Sequence, residues 1–569
     1  MDEGQDYESA ARTLDRLESS GDTMSAWRDR LQVAQVWLGR GDREKARMTV
    51  LEAISSFEDS IRLLLRDPER LDACDEPNVA DLYATLARTY LASDGVTAAQ
   101  ADASFEAAER VRTLAAPAGL DGVTPELRLS WQNAAAEYSA VANRLLSELT
   151  RAAADADPGF SALDRLDGRL AELEHAIDTQ DRGVLLRRTT PAPPARAADL
   201  RRHLADGTVL LEYLAVGDDV LAWAVSRDGI RPVHRTVPGR ELTAMVRAHH
   251  AGCAAGAAPA TRLSALLIDP FADLLRANGR VVVVPFGPLN LVPFHALRLD
   301  GAPLALTHVV SYASRAASLL ERDGQPDPAA PAARPLVVGD PAFDPAARPG
   351  LRRLPGARVE AGAVAAALGV PAGDVLVDEA ATEAAVAPRL ERCDLLHVSS
   401  HGHLDELSPF ASALVLAGSD ELSVADITGL RFGTGLAVLT GCDTGRGNAT
   451  LGGDVVGLTR ALLRGGVDRA VVSLWPVDDA VAPVVMSRFY AGLGDGLAPA
   501  YALTAAQRAV YAMSAADLDA AYGALGGEPA GERRRRGLDL DPELRDDEDV
   551  PEALGGDAER YWAPFIVVD

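Results

Sequence analysis

The sequence LLHVSSHG (residues 395–402) and the sequence LAVLTGCDTG (residues 436–445) are the strongest indicators of the fold, because each is a short apolar run that leads to a reactive side chain. The first run leads to His401 and the second leads to Cys442. Apolar runs of this length, bounded by turn residues, are typical of strands buried on both faces of a parallel α/β sheet. Because the carboxyl ends of such strands meet at one crevice, we expect His401 and Cys442 to share a cleft.

The flanking sequence extends this pattern. Downstream of Leu336, strand-like runs alternate with helical patterns, and YWAPFIVVD (residues 561–569) supplies a last strand. The alternation predicts a mostly parallel sheet with helices on both faces. A second α/β unit precedes it, since residues 207–237 contain three strand-like runs and RVVVVP (residues 280–285) forms another buried strand. Residues 1–185 carry helical periodicity with few strand signals.

Two proline-rich segments, TTPAPPA (residues 189–195) and DGQPDPAAPAARP (residues 323–335), predict the domain boundaries. The predicted domains are a helical domain over residues 1–188, an α/β unit over residues 196–322 and a larger α/β unit over residues 335–569, with a charged insertion over residues 514–560. The insertion is predicted from blocks of like charge, which usually stay solvated.

Two segments of the helical domain, around Trp37 and around Tyr90, share one pattern of small residues, an aromatic residue, a polar turn and an alanine-rich second helix. The pattern resembles degenerate tetratricopeptide hairpins. An ordinary helical bundle is the alternative, because the two segments lie 53 residues apart, which exceeds the usual period. In either case, a helical layer without a catalytic constellation predicts a docking or regulatory surface.

Composition restricts the classes of function. A formal net charge of −27 argues against nucleic acid or an anionic membrane as the main partner, because both are bound chiefly by clustered Lys and Arg. No apolar run is long enough to cross a bilayer, and the acidic MDEGQDYESA at residues 1–10 is not a signal peptide. Four widely spaced cysteines make neither a disulfide framework nor a zinc pattern, so we expect a reduced, cytoplasmic setting without a metal or cofactor.

Cys442 follows its strand directly and lies between Gly441 and Gly445. A cysteine at this place is either a small buried hydrophobic residue or a nucleophile that a nearby imidazole shifts toward the thiolate. His401 is the candidate base. The backbone N–H groups of Gly402 and Cys442 are the candidate donors to a developing oxyanion.

Neighbouring histidines leave two alternatives open. His403 competes with His401 for the role of base, whereas His397 is expected to pack in or beneath the site. A metal site formed by the three histidines is less favoured, because the segment lacks the glutamate of a His-Glu-x-x-His zinc motif.

Several co-linear motifs carry a family resemblance: HVSSHG (residues 397–402), LTGCDTG (439–445), GGDVVGLTRALLRGGVDRAVVSLWPVDD (452–479) and YWAPF (561–565). With motifs further upstream, they resemble the CHAT domain, a caspase-like, separase-related family of clan CD cysteine peptidases that is often fused to tetratricopeptide repeats. The resemblance extends from about residue 200 to the end of the sequence. It implies a caspase-like, mostly parallel α/β sheet beside an inactive α/β companion unit, preceded by an all-α helical-repeat domain.

The resemblance also implies the chemistry. Cys442 would attack the carbonyl carbon of a peptide bond, and His401 would exchange protons with the thiol and the leaving amine. A thioester acyl-enzyme would then be resolved by water.

Substrate recognition is expected in the loop SLWPVDDA (residues 473–480), which corresponds to a substrate-lining loop of caspase-like folds. Trp475 is expected to form a pocket wall there. Acidic side chains at the pocket would select a basic P1 residue. The candidates for that acidic contact are Asp443, Asp454, Asp478 and Asp479. The alternative is that these aspartates cap helices or face water.

Together, these features predict a cysteine endopeptidase that performs restricted proteolysis of a protein partner, with a helical domain that binds the substrate or a regulatory protein. The resemblance suggests a bacterial defence or signalling system. The charged insertion is interpreted as an activation loop, as a site of proteolytic activation near Arg533 to Arg536, or as a passive insertion. The alternative from a different class is a catalytically inactive, caspase-like interaction scaffold. A hydrolase of non-peptide amides or thioesters is a weaker alternative.

Overall fold

A computed structural model defines the fold over most of the chain. It describes residues 23–64, 66–74, 76, 78–91, 95–114, 122–151, 160–185, 193–256, 261–321, 334–348, 350–403, 412–430, 432–433, 435–441, 448–449, 455–528 and 559–569. Within these ranges, no helix has both the length and the apolar composition that crossing a membrane requires.

Every regular element in the described part of the N-terminal region is a helix, as predicted. Its described helices are α1 (Thr23–Gly39), α2 (Arg43–Ile61), α3 (Asp67–Cys74), α4 (Val79–Tyr90), α5 (Ala98–Leu114), α6 (Pro125–Arg151) and α7 (Phe160–Gln180). The two segments with the shared pattern form the consecutive pairs α1–α2 and α4–α5. Their relation to tetratricopeptide repeats stays a prediction.

The first α/β part, called here the companion half, covers residues 197–321. Its helices and strands are α8 (Ala197–His203), β1 (Thr208–Val216), β2 (Asp219–Ser226), β3 (Gly229–Thr236), α9 (Gly239–Ala255), α10 (Thr261–Leu267), α11 (Ala272–Arg276), β4 (Arg280–Val284), β5 (Arg298–Leu299), β6 (Ala302–Pro303), α12 (Leu304–Thr307), β7 (Val309–Tyr312) and α13 (Ala317–Glu321). The three runs predicted as strands in residues 207–237 are β1, β2 and β3.

The second α/β part, called here the C-terminal half, covers residues 335–569. Its helices and strands are β8 (Pro335–Pro341), α14 (Pro355–Leu368), β9 (Leu376–Asp378), α15 (Glu383–Leu390), β10 (Leu395–Ser399), β11 (Gly402–His403), β12 (Ala413–Val415), β13 (Glu421–Ser423), α16 (Val424–Gly429), β14 (Leu436–Leu439), β15 (Asn448–Ala449), β16 (Val455–Val456), α17 (Leu458–Gly465), β17 (Arg469–Ser473), α18 (Val481–Gly494), α19 (Pro499–Tyr511), α20 (Ala515–Ala524), α21 (Glu559–Trp562) and β18 (Phe565–Val568).

Both halves contribute to one sheet of eleven strands, in the order β3-β2-β1-β4-β7-β18-β17-β14-β10-β8-β9. Seven of its ten strand pairs are parallel, and the antiparallel pairs are β3–β2, β2–β1 and β18–β17. The mostly parallel sheet predicted from the alternating sequence is therefore confirmed. The continuity of the sheet across the two halves was not predicted.

Strand β18 joins the two half-sheets. It pairs in parallel with β7 of the companion half and antiparallel with β17 of the C-terminal half. Just beyond it, Asp569 accepts a hydrogen bond from Arg469 Nε at 2.9 Å and lies 3.8 Å from Arg280 Nη2. Because Arg280 begins β4 and Arg469 begins β17, Asp569 binds charged groups from both halves.

The helical region packs directly on the companion half. Phe105 of α5 lies edge-on against Trp223 of β2, with ring centroids 6.4 Å apart. Arg112 of α5 donates hydrogen bonds to Glu212 of β1 at 3.3 Å and to the carbonyl oxygen of Tyr213 at 2.5 Å. Burial, followed by the proximity of Glu109, raises the pKa of Glu212 well above its usual range. The helices are thus a covering layer of the sheet.

The helical region also reaches the C-terminal half through α6. Asn133 Nδ2 donates a hydrogen bond to Asp426 Oδ1 of α16 at 3.1 Å. Arg128, one turn earlier on α6, lies 3.7 Å from Glu391, which follows α15. One helical layer therefore contacts both halves of the sheet.

The stretch predicted as a charged insertion, residues 514–560, begins with ordered structure. Ser514 caps α20 and forms a capping box with Asp517, while Leu518 and Tyr522 are buried. The apolar side chains of α20 thus belong to the core, and this part of the prediction is corrected. Residues 529–558, which include Arg533 to Arg536, lie outside the described residues.

Candidate active site

The pairing register of β10 and β14 relates the two predicted catalytic residues. Val398 of β10 is paired with Leu439 of β14 in the parallel ladder. His401 lies three residues beyond Val398, and Cys442 lies three residues beyond Leu439. Neighbouring parallel strands are about 4.8 Å apart, so both chains leave the sheet at one edge and at the same level. Cys442 itself lies outside the described residues.

The main chain that leads to Cys442 is held by three hydrogen bonds. Thr440 N–H donates to the carbonyl oxygen of Val398 at 3.0 Å, and Thr440 Oγ1 donates to Glu360 Oε1 at 2.6 Å. Ser473 Oγ of β17 donates to the carbonyl oxygen of Gly441 at 2.6 Å. Strands on both sides of β14 thereby fix the end of the strand.

A buried polar cluster lies behind this strand end. Glu360 of α14 is 1% exposed, and its Oε1 lies 3.1 Å from Nε2 of His397, which is fully buried. The other ring nitrogen of His397 lies 3.1 Å from the Tyr490 hydroxyl of α18. Burial, with Glu360 nearby, raises the pKa of Tyr490 well above its usual range, so the hydroxyl stays neutral. His397 is packed beneath the site, as expected.

Sequence reasoning missed Glu360 and Tyr490. Glu360 lies in the alanine-rich segment EAGAVAAAL, and nothing local distinguishes it from a solvent-facing helix residue. The one available signal was the helical spacing, since Ala357, Ala361 and Val364 mark the buried face of α14 beside Glu360.

His401 lies just past the end of β10 and is partly buried. Its Nε2 lies 2.6 Å from the carbonyl oxygen of Arg352, and its ring lies edge-on against Phe343 with centroids 5.7 Å apart. A carbonyl oxygen only accepts, so this contact places a proton on Nε2 and leaves the Nδ1 lone pair of a neutral ring available as a base. Burial lowers the pKa of His401, although the Arg352 carbonyl and Asp340 oppose that effect.

Gly402 begins β11, which pairs with β12. Val415 N–H donates to the carbonyl oxygen of His401 at 3.0 Å, and the next pair along the ladder is Gly402 with Leu414. Because antiparallel pairs alternate between bonded and non-bonded, the Gly402 N–H points away from β12. A donor in this orientation suits an oxyanion.

The three histidines of the segment have different surroundings. His403 is exposed on β11, in contrast to the partly buried His401 and the fully buried His397. His397 is engaged with Glu360 and Tyr490, as described above. The arrangement favours His401 over His403 as the base.

Trp475 is fully buried and lies edge-on against His250 of α9, with ring centroids 5.7 Å apart. His250 Nε2 in turn lies 2.8 Å from the carbonyl oxygen of Leu474. In this conformation Trp475 packs between the two halves. Its predicted role as a pocket wall would require the ring to become accessible.

Asp478 and Asp479 both lie at helix N-termini, as the helix-capping alternative expects. Asp478 Oδ1 accepts from Ala480 N–H at 2.8 Å just before α18, and its side chain is exposed. Asp479 Oδ2 accepts from Gly356 N–H at 2.6 Å at the start of α14. Only glycine permits this approach, because a Cβ at position 356 would lie 1.7 Å from the Asp479 carbonyl oxygen.

The remaining predicted substrate contacts, Asp443 and Asp454, lie outside the described residues, as does Cys442 with its N–H. The structure therefore brings together His401, Gly402 and the strand end that precedes Cys442. Asp478 and Asp479 lie beyond β17, the neighbouring strand of β14.

A mostly parallel sheet with a histidine and a cysteine beyond adjacent strands defines an α/β protein with a candidate thiol–imidazole site. The model of the CHAT domain matches residues 257–568, which is 312 of 569 residues and more than half of the chain. The protein therefore belongs to the CHAT domain family. The search of curated proteins returned no match.

Among solved structures, the chain is similar to two crystal structures of the Saccharomyces cerevisiae separase–securin complex, determined at 3.0 and 2.6 Å resolution. The TM-scores are 0.42 and 0.41, and the sequence identity is 10% in both cases. The matches cover 82% and 83% of this chain but only 36% and 37% of the compared chains. The protein thus spans little more than a third of their length.

Proposed function

We propose that this protein is a cysteine endopeptidase that uses Cys442 and His401. The observation that carries the proposal is the β10–β14 register, in which Val398 is paired with Leu439 and each reactive residue follows three positions later. CHAT-domain membership agrees with it.

The proposed reaction begins when His401 Nδ1 takes the proton of the Cys442 thiol. The thiolate attacks the carbonyl carbon of the scissile peptide bond, and the Gly402 and Cys442 N–H groups donate to the oxyanion. The C–N bond breaks as the imidazolium returns its proton to the leaving amine. Water, deprotonated by His401, then hydrolyses the thioester and releases the carboxylic acid and the thiol.

The proposal is tested with the purified full-length chain, a fluorogenic peptide library and the variant Cys442→Ala. We expect the variant to lose cleavage while it keeps the melting temperature of the parent. Cys393→Ala is a matched control, since Cys393 is a buried thiol in the same half. Cleavage that survives Cys442→Ala would overturn the mechanism, and absence of cleavage from every preparation would favour the interaction scaffold.

We infer a preference for basic P1 residues from the acidic side chains near the site. Asp478 is exposed, and Asp443 and Asp454 flank the segment after Cys442. A carboxylate in a desolvated pocket selects Arg or Lys because an ionic partner compensates its burial. The library would show cleavage after Arg or Lys, and Asp→Asn exchanges at these three positions would reveal which carboxylate contributes.

We also propose that the helical region regulates the site through α6. Asn133 binds Asp426, which forms a capping box with Ser423 at the end of β13. Strand β13 pairs with β12, and β12 pairs with β11, whose first residue is Gly402. A ligand that shifts α6 would therefore move the strand that carries the proposed oxyanion donor.

Asn133→Ala tests this coupling, with Glu137→Ala on the exposed side of α6 as control. We expect Asn133→Ala to change kcat/KM by about five-fold or more, the lower range of allosteric couplings. Equal activity of the two variants would contradict the coupling. The protein substrate, or a regulatory protein, is the proposed partner of the helical region.

The proposed setting is the cytoplasm, where thiols stay reduced. Cys74, Cys253 and Cys393 are all buried thiols in the fold. Restricted proteolysis in a bacterial defence or signalling system follows from the family resemblance. Identification of cleaved proteins after expression in cells, compared with Cys442→Ala, tests this setting.

A further inference from the structure

The loop between β8 and α14 (described over residues 342–348 and 350–354), called here the anchor loop, supplies the acceptor that orients the candidate base. The carbonyl oxygen of Arg352 lies 2.6 Å from His401 Nε2. A single carbonyl orients an imidazole only if its own position is fixed. The groups that hold Arg352 in place therefore affect the site.

Asp340, the penultimate residue of β8, accepts hydrogen bonds from two arginines that follow Arg352 in the sequence. Arg353 donates from Nε at 2.8 Å and from Nη2 at 2.7 Å to the two carboxylate oxygens. Arg358 of α14 donates from Nε at 3.2 Å and from Nη2 at 3.1 Å. Arg353 is the immediate neighbour of Arg352, so the paired hydrogen bonds to Asp340 fix the peptide that carries the acceptor.

The burial of Asp340 makes this contact sensitive to charge. Asp340 is 4% exposed, whereas the side chains of Arg353 and Arg358 are 43% and 47% exposed. A buried carboxylate needs ionic partners to offset its desolvation, so Asp340 depends on the two guanidinium groups. Asp378 at the end of β9 also binds both arginines.

The backbone at Asp340 is also unusual. Its φ is 42°, in the left-handed region that few residues other than glycine, asparagine and aspartate adopt. Asp378, which shares its arginines, has a φ of 50°. Surrounding contacts maintain such conformations, and they recur at functional sites.

The other end of the anchor loop lies against the hairpin of β12 and β13. Asp344 N–H donates to the carbonyl oxygen of Gly418 at 2.7 Å, and Gly418 N–H donates to the carbonyl oxygen of Ala342 at 2.9 Å. Phe343, between them, lies edge-on to the His401 ring. The loop thus contacts His401 twice, through a ring edge and through a carbonyl oxygen.

We propose that Asp340 is a positioning residue, which holds Arg353 so that the Arg352 carbonyl fixes the ring orientation and tautomer of His401. The inference deepens the proposed function and depends on it for its catalytic meaning. Without the Asp340 carboxylate, Arg352 shifts, the Nε2–H donor loses its partner, and Nδ1 is no longer kept as the basic nitrogen.

Electrostatics support the same role. Asp340 raises the pKa of His401, against the larger lowering caused by burial. The charged groups around Asp340 are Arg353, Arg358 and Asp378. Removal of the Asp340 charge should therefore shift the His401 titration to lower pH.

The decisive experiment observes His401 itself and needs no peptidase activity. The full-length chain carrying Cys442→Ala is labelled with ¹⁵N-histidine, and the ring nitrogens are titrated by long-range ¹H–¹⁵N correlation. The chain has ten histidines, and His401→Gln assigns the relevant signals. Asp340→Asn is compared with the parent, because asparagine tolerates positive φ and leaves the backbone strain unchanged.

Asp344→Asn is the matched control. Its carboxylate is in the same loop, and the bond that it accepts within the described part of the chain is a local one, from Ala346 N–H at 2.9 Å. We expect Asp340→Asn to lower the His401 midpoint and to reduce the Nε2–H tautomer fraction, whereas Asp344→Asn leaves both unchanged. In the active background, Asp340→Asn should lower kcat about ten-fold with little change of KM.

An unchanged midpoint and tautomer in Asp340→Asn would overturn the inference, whether or not the chain cleaves peptides. Failure of the proposed function is seen separately, as absence of cleavage by the parent. If Asp340→Asn does not fold, Arg353→Lys replaces it, since lysine keeps the charge but loses the paired hydrogen bonds. The same tautomer shift is then expected, and its absence would overturn the inference.

Discussion

The two halves of the sheet each contain a cysteine and a histidine, but in different chemical settings. In the companion half, Cys253 Sγ lies 3.7 Å from His249 Nδ1, one turn apart on α9. In the C-terminal half, His401 and Cys442 follow adjacent strands, and His401 Nε2 donates a hydrogen bond to the carbonyl oxygen of Arg352. Only the first of these pairs has both side chains within the described residues.

From this comparison we expect the location of each pair to decide its reactivity. Both members of the α9 pair are buried, and burial raises the pKa of Cys253 to about 12 and lowers that of His249 to about 4. Both groups are thus neutral at pH 7, and α9 provides no strand end where a substrate could enter. A nucleophile requires an accessible edge of the sheet, where loop N–H groups are available to a ligand.

The largest expected difference between the pairs is in catalysis. His401→Ala should reduce kcat/KM by about 10²–10⁴-fold, the usual contribution of a general base. His249→Ala should leave kcat/KM within about three-fold of the parent, since a buried neutral ring has no role in the reaction. Peptide cleavage assays on both purified variants check this. Similar losses of kcat/KM in His401→Ala and His249→Ala would contradict the proposed difference between the two pairs.

Alkylation sharpens the comparison at the sulfur atoms. Iodoacetamide at pH 7 should label Cys442 about a hundred-fold faster than Cys253, because only thiolates react and Cys253 is protonated. The site of labelling is read by peptide mass spectrometry after timed quenching. His401→Ala should slow labelling of Cys442 and leave Cys253 unaffected. Faster modification of Cys253 in the folded chain would contradict this account.

The buried cysteine should matter more than Cys442 for the stability of the fold, although it matters less for catalysis. Cys253→Ala removes a buried sulfur from the core and should lower the free energy of unfolding by about 1–2 kcal/mol while cleavage persists. Cys442→Ala should abolish cleavage with a smaller change in stability. Urea denaturation of both variants gives the two free energies. A stabilised Cys253→Ala variant would argue that the α9 pair is strained.

The last prediction concerns the pH dependence of stability at Asp479, whose pKa is raised to about 7, mainly by burial. The unfolded chain binds this proton only below about pH 4, so the folded state holds the extra proton between about pH 4 and 7. Stability from this group is therefore present at low pH and lost as pH rises through 7. In the Asp479→Asn variant, the free energy of unfolding should therefore decline less steeply between pH 4 and 7, by up to about 1 kcal/mol per pH unit.

Thermal melts of the parent and Asp479→Asn between pH 4.5 and 7.5 measure this difference. Asp517→Asn is a suitable control, because its carboxylate is exposed in a capping box and its pKa is lowered. Parallel melting curves for the parent and Asp479→Asn would contradict the prediction.

Local patterns were sufficient for most of the fold. The apolar runs around Val398 and Val438 became β10 and β14, and the three runs after residue 207 became β1 to β3. The join through β18 could not be predicted, because strand pairing across more than 200 residues has no local signature.

For the candidate site, the sequence indicated the residues beyond the two strand ends, but it did not indicate the groups that contact them, such as Glu360 and the Arg352 carbonyl. His401 and Cys442 are recognised because each lies three residues beyond the last apolar residue of a short apolar run. The acceptor on Arg352 is a backbone atom, which no side-chain pattern reveals. Sequence position also did not reveal the surroundings of Trp475. It lies in the loop expected to contact substrate, yet its side chain is fully buried between the two halves.

Strand β18 lies between the two half-sheets but is the last of the strands to be synthesised, so the order of translation affects when the sheet can close. A ribosome makes β7 and β17 long before residue 565, and until then both half-sheets have an open edge. Chains released early would expose these edges, where foreign strands pair most readily. Closure of the sheet thus requires residues 565–568, and no shorter product of translation contains the whole sheet from which the segments of His401 and Cys442 extend.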